Sequence, residues 1–191
     1  MVQMKRFLLV SAILLAFAAK AGAQAIAIKT NLLEDAALLA PNLGLEFGLG
    51  RHFTFDMRGG INNWNKSAST SDGMNHWVAS GELRWWMCER FNGNFFGLNG
   101  IYVDYDVNGW SIPLLFDKDH RFDGTAYGAG ISWGYHWMWS RRWGLEFNLG
   151  AGYALLTYDK YDRTTGVNLG RFKKDYLGPT RAGVTLVFLL K

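Results

Sequence analysis

Residues 43–58 read Leu43-Gly44-Leu45-Glu46-Phe47-Gly48-Leu49-Gly50-Arg51-His52-Phe53-Thr54-Phe55-Asp56-Met57-Arg58. Leu43, Leu45, Phe47 and Leu49 alternate with Gly44, Glu46 and Gly48. Phe53, Phe55, Met57 and then Ile61 alternate with Thr54, Asp56, Arg58, Gly60 and Asn62. A period of two gathers each apolar set on one face of a strand, where a helix would scatter it. Gly50-Arg51 predicts a tight turn between them. The result is a hairpin with one apolar face and one charged face.

The same alternation predicts six more strands. Strand one covers 25–31, with Ala27, Lys29 and Asn31 sharing a face, and a ten-residue connection over 32–41 follows it. Strand four covers 76–88, where Trp77, Ala79, Leu83, Trp85 and Met87 oppose Ser80, Glu82 and Arg84. Strand five, 94–105, has an ambiguous phase, because Phe95 and Phe96 compete for the outer face. Strand six, 123–139, places Tyr127, Ala129, Ile131, Trp133, Tyr135 and Trp137 together. Strand seven covers 143–158, and strand eight ends the chain with Ala182, Val184, Leu186, Phe188 and Leu190 outward. The heptads 44–50 and 144–150 are near copies, and no function is drawn from that.

The connections alternate long and short. Residues 32–41, 63–75, 106–121 and 159–175 are the long ones; those near 50–51, 89–93 and 140–142 are short. Outer-membrane barrels place short turns in the periplasm and long loops outside. Trp85, Trp86, Trp133, Trp137, Trp139 and Trp143 fall near the short-turn ends. Trp64, Trp77, Tyr105, Tyr158 and Tyr176 fall near the other ends, as two interfacial aromatic belts would. The predicted fold class is therefore all-β: an eight-stranded antiparallel up-and-down transmembrane β-barrel with a charged, side-chain-filled interior.

Ahead of the strands, Lys5 and Arg6, the apolar run 7–18 and Ala21-Gly22-Ala23 predict a cleaved signal peptide over 1–23 and a single barrel domain over 24–191. Lys5, Arg6 and Lys20 leave with the leader, so 17 of the 20 bases remain against 16 acids, a net charge of +1. That removes the electrostatic case for a nucleic-acid partner. Cys88 is the only cysteine, which excludes an intramolecular disulfide and a paired-cysteine zinc site. It is expected as a small filler in a strand.

The inner face collects Lys29, Arg58, Arg84 and Arg181 with Glu46, Asp56, Glu82 and Glu146. An eight-stranded barrel is just wide enough for side chains to fill, and buried charges must be paired. These eight residues are expected to form an interior ion-pair network rather than to line an aqueous pore. His52, His76, His120 and His136 show no ligand spacing. Ser132 and His136 share a face but lie about 13 Å apart along the strand, too far for a nucleophile and its base. No catalytic, cofactor-binding or metal residues are assigned, and no cofactor is expected. Trp110, Ile112, Leu114, Leu115 and Phe116 form an apolar patch in a long loop, expected either as a surface-interaction site or as a lid.

Lys29-Thr-Asn-Leu-Leu33, Pro41-Asn-Leu-Gly-Leu-Glu-Phe-Gly-Leu-Gly50, Glu82-Leu-Arg-Trp-Trp86, Cys88-Glu-Arg-Phe-Asn-Gly93 and Arg141-Arg-Trp-Gly-Leu-Glu146 resemble an uncharacterised family of barrel proteins from the Bacteroidota, a domain of unknown function. The resemblance spans nearly the whole mature chain. It implies an outer-membrane location and an envelope role, since members are often encoded near fimbrial or surface-assembly genes. It supplies no catalytic residues. Some members carry an appended peptidoglycan-binding domain, whereas here the chain is expected to end with strand eight.

The expected function is structural or surface-interacting, in the bacterial outer membrane, and not that of a general porin. Expected partners are outer-membrane lipid, an envelope or fimbrial protein, and the barrel-assembly machinery during insertion. Two alternatives stand beside it: an outer-membrane enzyme acting on lipid or polysaccharide, and a soluble lipocalin-like barrel. The last requires Leu45, Phe47, Leu186 and Phe188 to point inward.

Overall fold

The computed structural model describes residues 25–38, 40–62, 73–109 and 118–190. The expected signal peptide over 1–23, Trp64, and the apolar run Trp110, Ile112, Leu114, Leu115 and Phe116 lie outside these residues. Eight antiparallel strands form one sheet that closes on itself. They are β1 (Ile26–Asn31), β2 (Asn42–Gly48), β3 (Phe53–Asn62), β4 (Gly73–Trp86), β5 (Gly93–Asn108), β6 (His120–Met138), β7 (Trp143–Asp162) and β8 (Asn168–Leu189). Each pairs with its neighbour in sequence, and β1 closes on β8 through five register pairs from Ala27↔Leu189 to Asn31↔Thr185. The turns at 49–52, 87–92 and 139–142 share one end, here the turn end; the opposite end is the loop end.

Alternation sorts the side chains as the period of two requires. Leu43, Leu45, Phe53, Met57, Leu83, Leu98, Ile131, Leu149 and Phe147 are exposed on the outer wall, while Glu46, Asp56, Glu82, Arg84 and Glu146 are buried inside it. Leu45 pairs with Met57 and Glu46 with Asp56, so the β2–β3 hairpin carries one face out and one face in.

Several expectations are corrected. The connection after β1 contains a seven-residue helix, α1 (Leu32–Leu38). Asn31 caps it: its Oδ1 accepts the Leu33 N–H at 3.2 Å, and Glu34 and Asp35 fill the first turn, where acids suit the helix dipole. The segment 159–175 is no loop. Strands β7 and β8 continue through it as a hairpin closed by a turn over 163–167. Its polar composition misled because a hairpin standing clear of the apolar wall needs no apolar face; Asp159–Arg171 ion pairing at 2.8 Å ties it instead. Cys88 is exposed in the β4–β5 turn rather than within a strand.

Phe96 takes the outer face of β5 and Phe95 the inner, fully buried one. Trp86 likewise leaves the expected turn-end belt: Trp85 is 46% exposed and Trp86 0%. Adjacent strand residues face opposite ways, so one member of each aromatic pair must enter the barrel. At the loop end Tyr105 is buried in an apolar cluster against which Tyr158 and Tyr176 pack; exposed aromatics there include Trp77, Tyr102, Tyr127 and Tyr153.

Candidate functional site

The interior is stacked in three layers. At the turn end Ala27, Trp86, Phe91, Phe95 and Val187 form an apolar plug. Phe91 adopts φ 61°, a left-handed backbone that a bulky residue rarely takes, and its ring reaches back against Trp86 with centroids 5.9 Å apart. Gly134 makes room for the plug, because a Cβ there would lie 2.3 Å from the Phe95 ring. At the loop end Tyr105, Val107, Phe122, Ala154 and Leu156 form a second apolar cluster.

Between them lies the charged layer. Arg84 is its hub: Nε donates to Glu82 Oε2 at 2.5 Å, Nη1 to Glu46 Oε2 at 3.0 Å and to Glu146 Oε2 at 2.9 Å, and Nη2 to Glu146 Oε1 at 3.1 Å. Lys29 Nζ lies 2.6 Å from both Glu46 and Glu146 and 3.3 Å from Asp56. Arg181 joins Asp56 at 2.9 Å and Glu82 at 3.4 Å. Side-chain donors complete the carboxylates. Thr54 donates to Glu46 and Ser132 to Glu82, while Asn148 Nδ2 donates to Glu146 at 3.0 Å. Trp86 Nε1 donates to Thr54 at 2.8 Å, tying the plug to the charged layer. The Arg84 guanidinium also lies 4.4 Å from the Phe95 ring centroid, a cation–π distance.

Arg58 behaves differently from the other three bases. Its ion pair is with Glu34 of α1, at 2.8 Å. The seven remaining members of the set are four carboxylates and three cations. Glu34 is a partner that sequence phase could not reveal, because it sits on a helix rather than on a strand.

Helix α1 is bracketed by asparagines. The Asn31 N–H donates to Asn42 Oδ1 at 2.7 Å, and Asn42 Nδ2 returns to the Asn31 carbonyl at 3.0 Å. Asn31 Nδ2 donates to the Ala182 carbonyl at 3.2 Å, and its Oδ1 accepts the Val184 N–H at 3.2 Å. A single side chain thus satisfies backbone groups of β8 just where β1 ends. Asp35 accepts from Thr30 at 2.9 Å and from Asn42 at 2.8 Å.

The arrangement holds charge in place rather than exposing it to a reactant. Ser132 donates its hydroxyl hydrogen bond to Glu82, not to His136, and neither His136 ring nitrogen has a side-chain hydrogen-bond partner among the described residues. Among the described residues no cluster of His, Cys, Asp or Glu could hold a metal ion.

A family model described as a protein of unknown function, DUF3575, matches residues 7–190. The chain belongs to the DUF3575 family. A search of curated proteins finds no match to this DUF3575 chain. The Thr-Asn and Pro-Asn elements quoted from its sequence are the Asn31–Asn42 bracket, so they carry architecture rather than chemistry.

Proposed function

We propose that this DUF3575 protein is a small transmembrane β-barrel of a bacterial outer membrane, with a structural or surface-interaction role in the envelope. The observation that carries the reading is the inverted polarity. The wall facing out is apolar from Leu43 round to Leu177, and the seven-residue charged layer is enclosed. A water-soluble barrel has the opposite need, because contiguous exposed apolar surface beyond a few hundred Å² is rare on monomers. Two aromatic rows support it: Trp85, Trp133, Trp137, Trp139 and Trp143 towards the turn end, and Trp77, Tyr102, Tyr127 and Tyr153 towards the loop end. Such rows suit the two interfaces of a bilayer.

Strands β1 and β2 have six and seven residues, fewer than the roughly 9–11 of a tilted spanning strand. Exposed Leu32 and Leu33 on α1 continue the apolar surface beyond β1. The packed interior gives no support to a general porin. The lipocalin-like alternative is unsupported too, since Leu45, Phe47, Leu186 and Phe188 alternate with buried Glu46, Thr185 and Val187. Ser132, bonded to Glu82 rather than to His136, gives none to an enzyme. The hairpins at the loop end are the surfaces offered to an envelope or fimbrial partner.

The test is gel migration of envelope fractions, unboiled against boiled. A band that shifts on boiling is expected. An unshifted band, with the protein in a soluble fraction, refutes the membrane reading.

A further inference from the structure

The two ends of the barrel differ in charge. The loop-end projections, residues 104–109, 118–125 and 157–175, carry seven acids and seven bases. The three turns at the opposite end carry Arg51, Arg90, Arg141 and Arg142 against Glu89 alone, a net of +3. These arginines lie on three different turns, so they ring the rim rather than form one patch. Arg51 pairs with Glu89 at 3.2 Å, but both side chains are mostly exposed, and such a pair holds little charge back. Arg90 is half-buried, donating to the Gly50 carbonyl at 3.1 Å. Arg141 and Arg142 are exposed, and neither has an ion-pair partner among the described residues. Ser140 Oγ accepts the backbone N–H groups of Arg142 and Trp143 at 3.3 and 3.4 Å, which fixes the turn that presents them.

Directly beside this ring stand the exposed tryptophans. Trp137 and Trp139 contact edge to face with centroids 6.3 Å apart, and Trp143 packs on Phe188 at 4.8 Å. Amphipathic indoles settle at headgroup level. Guanidinium groups one turn further out meet the phosphates of that layer, for which their donor fork is matched.

We infer that the turn-end ring of Arg51, Arg141 and Arg142, next to Trp137, Trp139 and Trp143, docks on anionic phospholipid headgroups. The inference rests on the membrane reading above and names its lipid partner. It also gives the barrel a polarity of its own: the turn end anchors in the anionic leaflet, and the charge-balanced hairpins stand free on the other side. Charge spread around a rim suits a planar layer of small headgroups better than one acidic protein, which would need a single patch.

The test places the full barrel in vesicles of phosphatidylcholine mixed with phosphatidylglycerol, with one lipid at a time brominated on its acyl chains. Tryptophan quenching then reports which headgroup is enriched at the wall. Wild type is expected to enrich phosphatidylglycerol about twofold or more, falling in high salt. The triple variant R51Q/R141Q/R142Q, still heat-modifiable, is expected to bring the ratio to about one. The loop-end control K173Q/K174Q is expected to leave it unchanged. A wild-type ratio of one overturns the inference and turns attention to an acidic protein partner. Enrichment that survives the triple variant, or that drops equally in the control, overturns it as well. If brominated lipid of either headgroup fails to quench, the membrane reading itself falls, a result distinct from a ratio of one.

Discussion

At the residue scale, Arg84 shows what a buried charge does when every neighbour depends on it. It touches Glu82, Glu46 and Glu146 with no solvent exposure. Removing one partner from such a set strands the others, at a typical cost of about 3–5 kcal/mol. Arg84→Ala is therefore expected to lower the unfolding free energy of the refolded barrel by about that amount in a urea titration. Pairing it with Glu146→Ala removes one stranded carboxylate, so the double variant should recover part of the loss. A double variant worse than the sum of the two singles would show that the network is not the source. The charged positions were legible because strand phase alone assigns Lys29, Glu46 and Glu82 to one face. The plug was legible too, in principle: Trp85-Trp86 and Phe95-Phe96 each force one ring inward. The Arg58–Glu34 pair left no such trace, since nothing in the spacing brings Glu34 of α1 within reach of Arg58 on β3.

At the element scale, α1 and the β7–β8 hairpin were the parts that alternation could not find. Seven residues, Leu32–Leu38, are too few to establish a helical period, and the hairpin's polar residues look like any loop. Both are held by side chains acting on backbone. Asn31 serves the α1 cap and two groups of β8 at once, so Asn31→Ala should cost more than the ~1 kcal/mol of an ordinary cap. The expected signature is faster amide exchange at Val184 than in wild type, with the centre of β4 unchanged. In the hairpin turn, Asp162 Oδ1 accepts the Thr165 N–H at 2.8 Å, the Thr165 hydroxyl at 2.9 Å and the Thr164 N–H at 3.0 Å. The Thr165 amide, then its hydroxyl, hold the Asp162 carboxyl below the usual carboxylate range. A lowered folded value means the support is complete above the ordinary carboxylate value and is lost as pH falls through the lowered one. The Thr165 amide NMR shift should therefore move on acidification with a midpoint below that of a free aspartate. A midpoint at the free value, or no loss of the response in Asp162→Asn, would remove the turn from the account.

At the scale of the whole molecule, the ring closes where the longest strand meets the shortest. Strand β8 runs 22 residues while β1 offers six, and five register pairs join them. Every other junction in the sheet is made by strands adjacent in sequence, so β1–β8 is the one that must find its partner across the full chain length. Long-range closure of that kind comes late in folding and is the natural place for opening to begin. The Leu190 N–H donates to the Ile26 carbonyl, which makes neighbouring Ala27 and Leu189 a non-hydrogen-bonded pair, the kind whose side chains approach most closely. A disulfide built there, Ala27→Cys with Leu189→Cys on a Cys88→Ser background, would close a loop of well over 100 residues. The chain-entropy account gives a loop of that size about 4–5 kcal/mol of stabilisation. The oxidised barrel should accordingly unfold at clearly higher urea than the same protein reduced, and the gain should vanish on adding a thiol. Because the two sites lie 162 positions apart in sequence, they meet only if the sheet closes. Failure of the pair to oxidise in the folded barrel, while both thiols remain reactive, would mean that β1 and β8 do not meet and the ring is open.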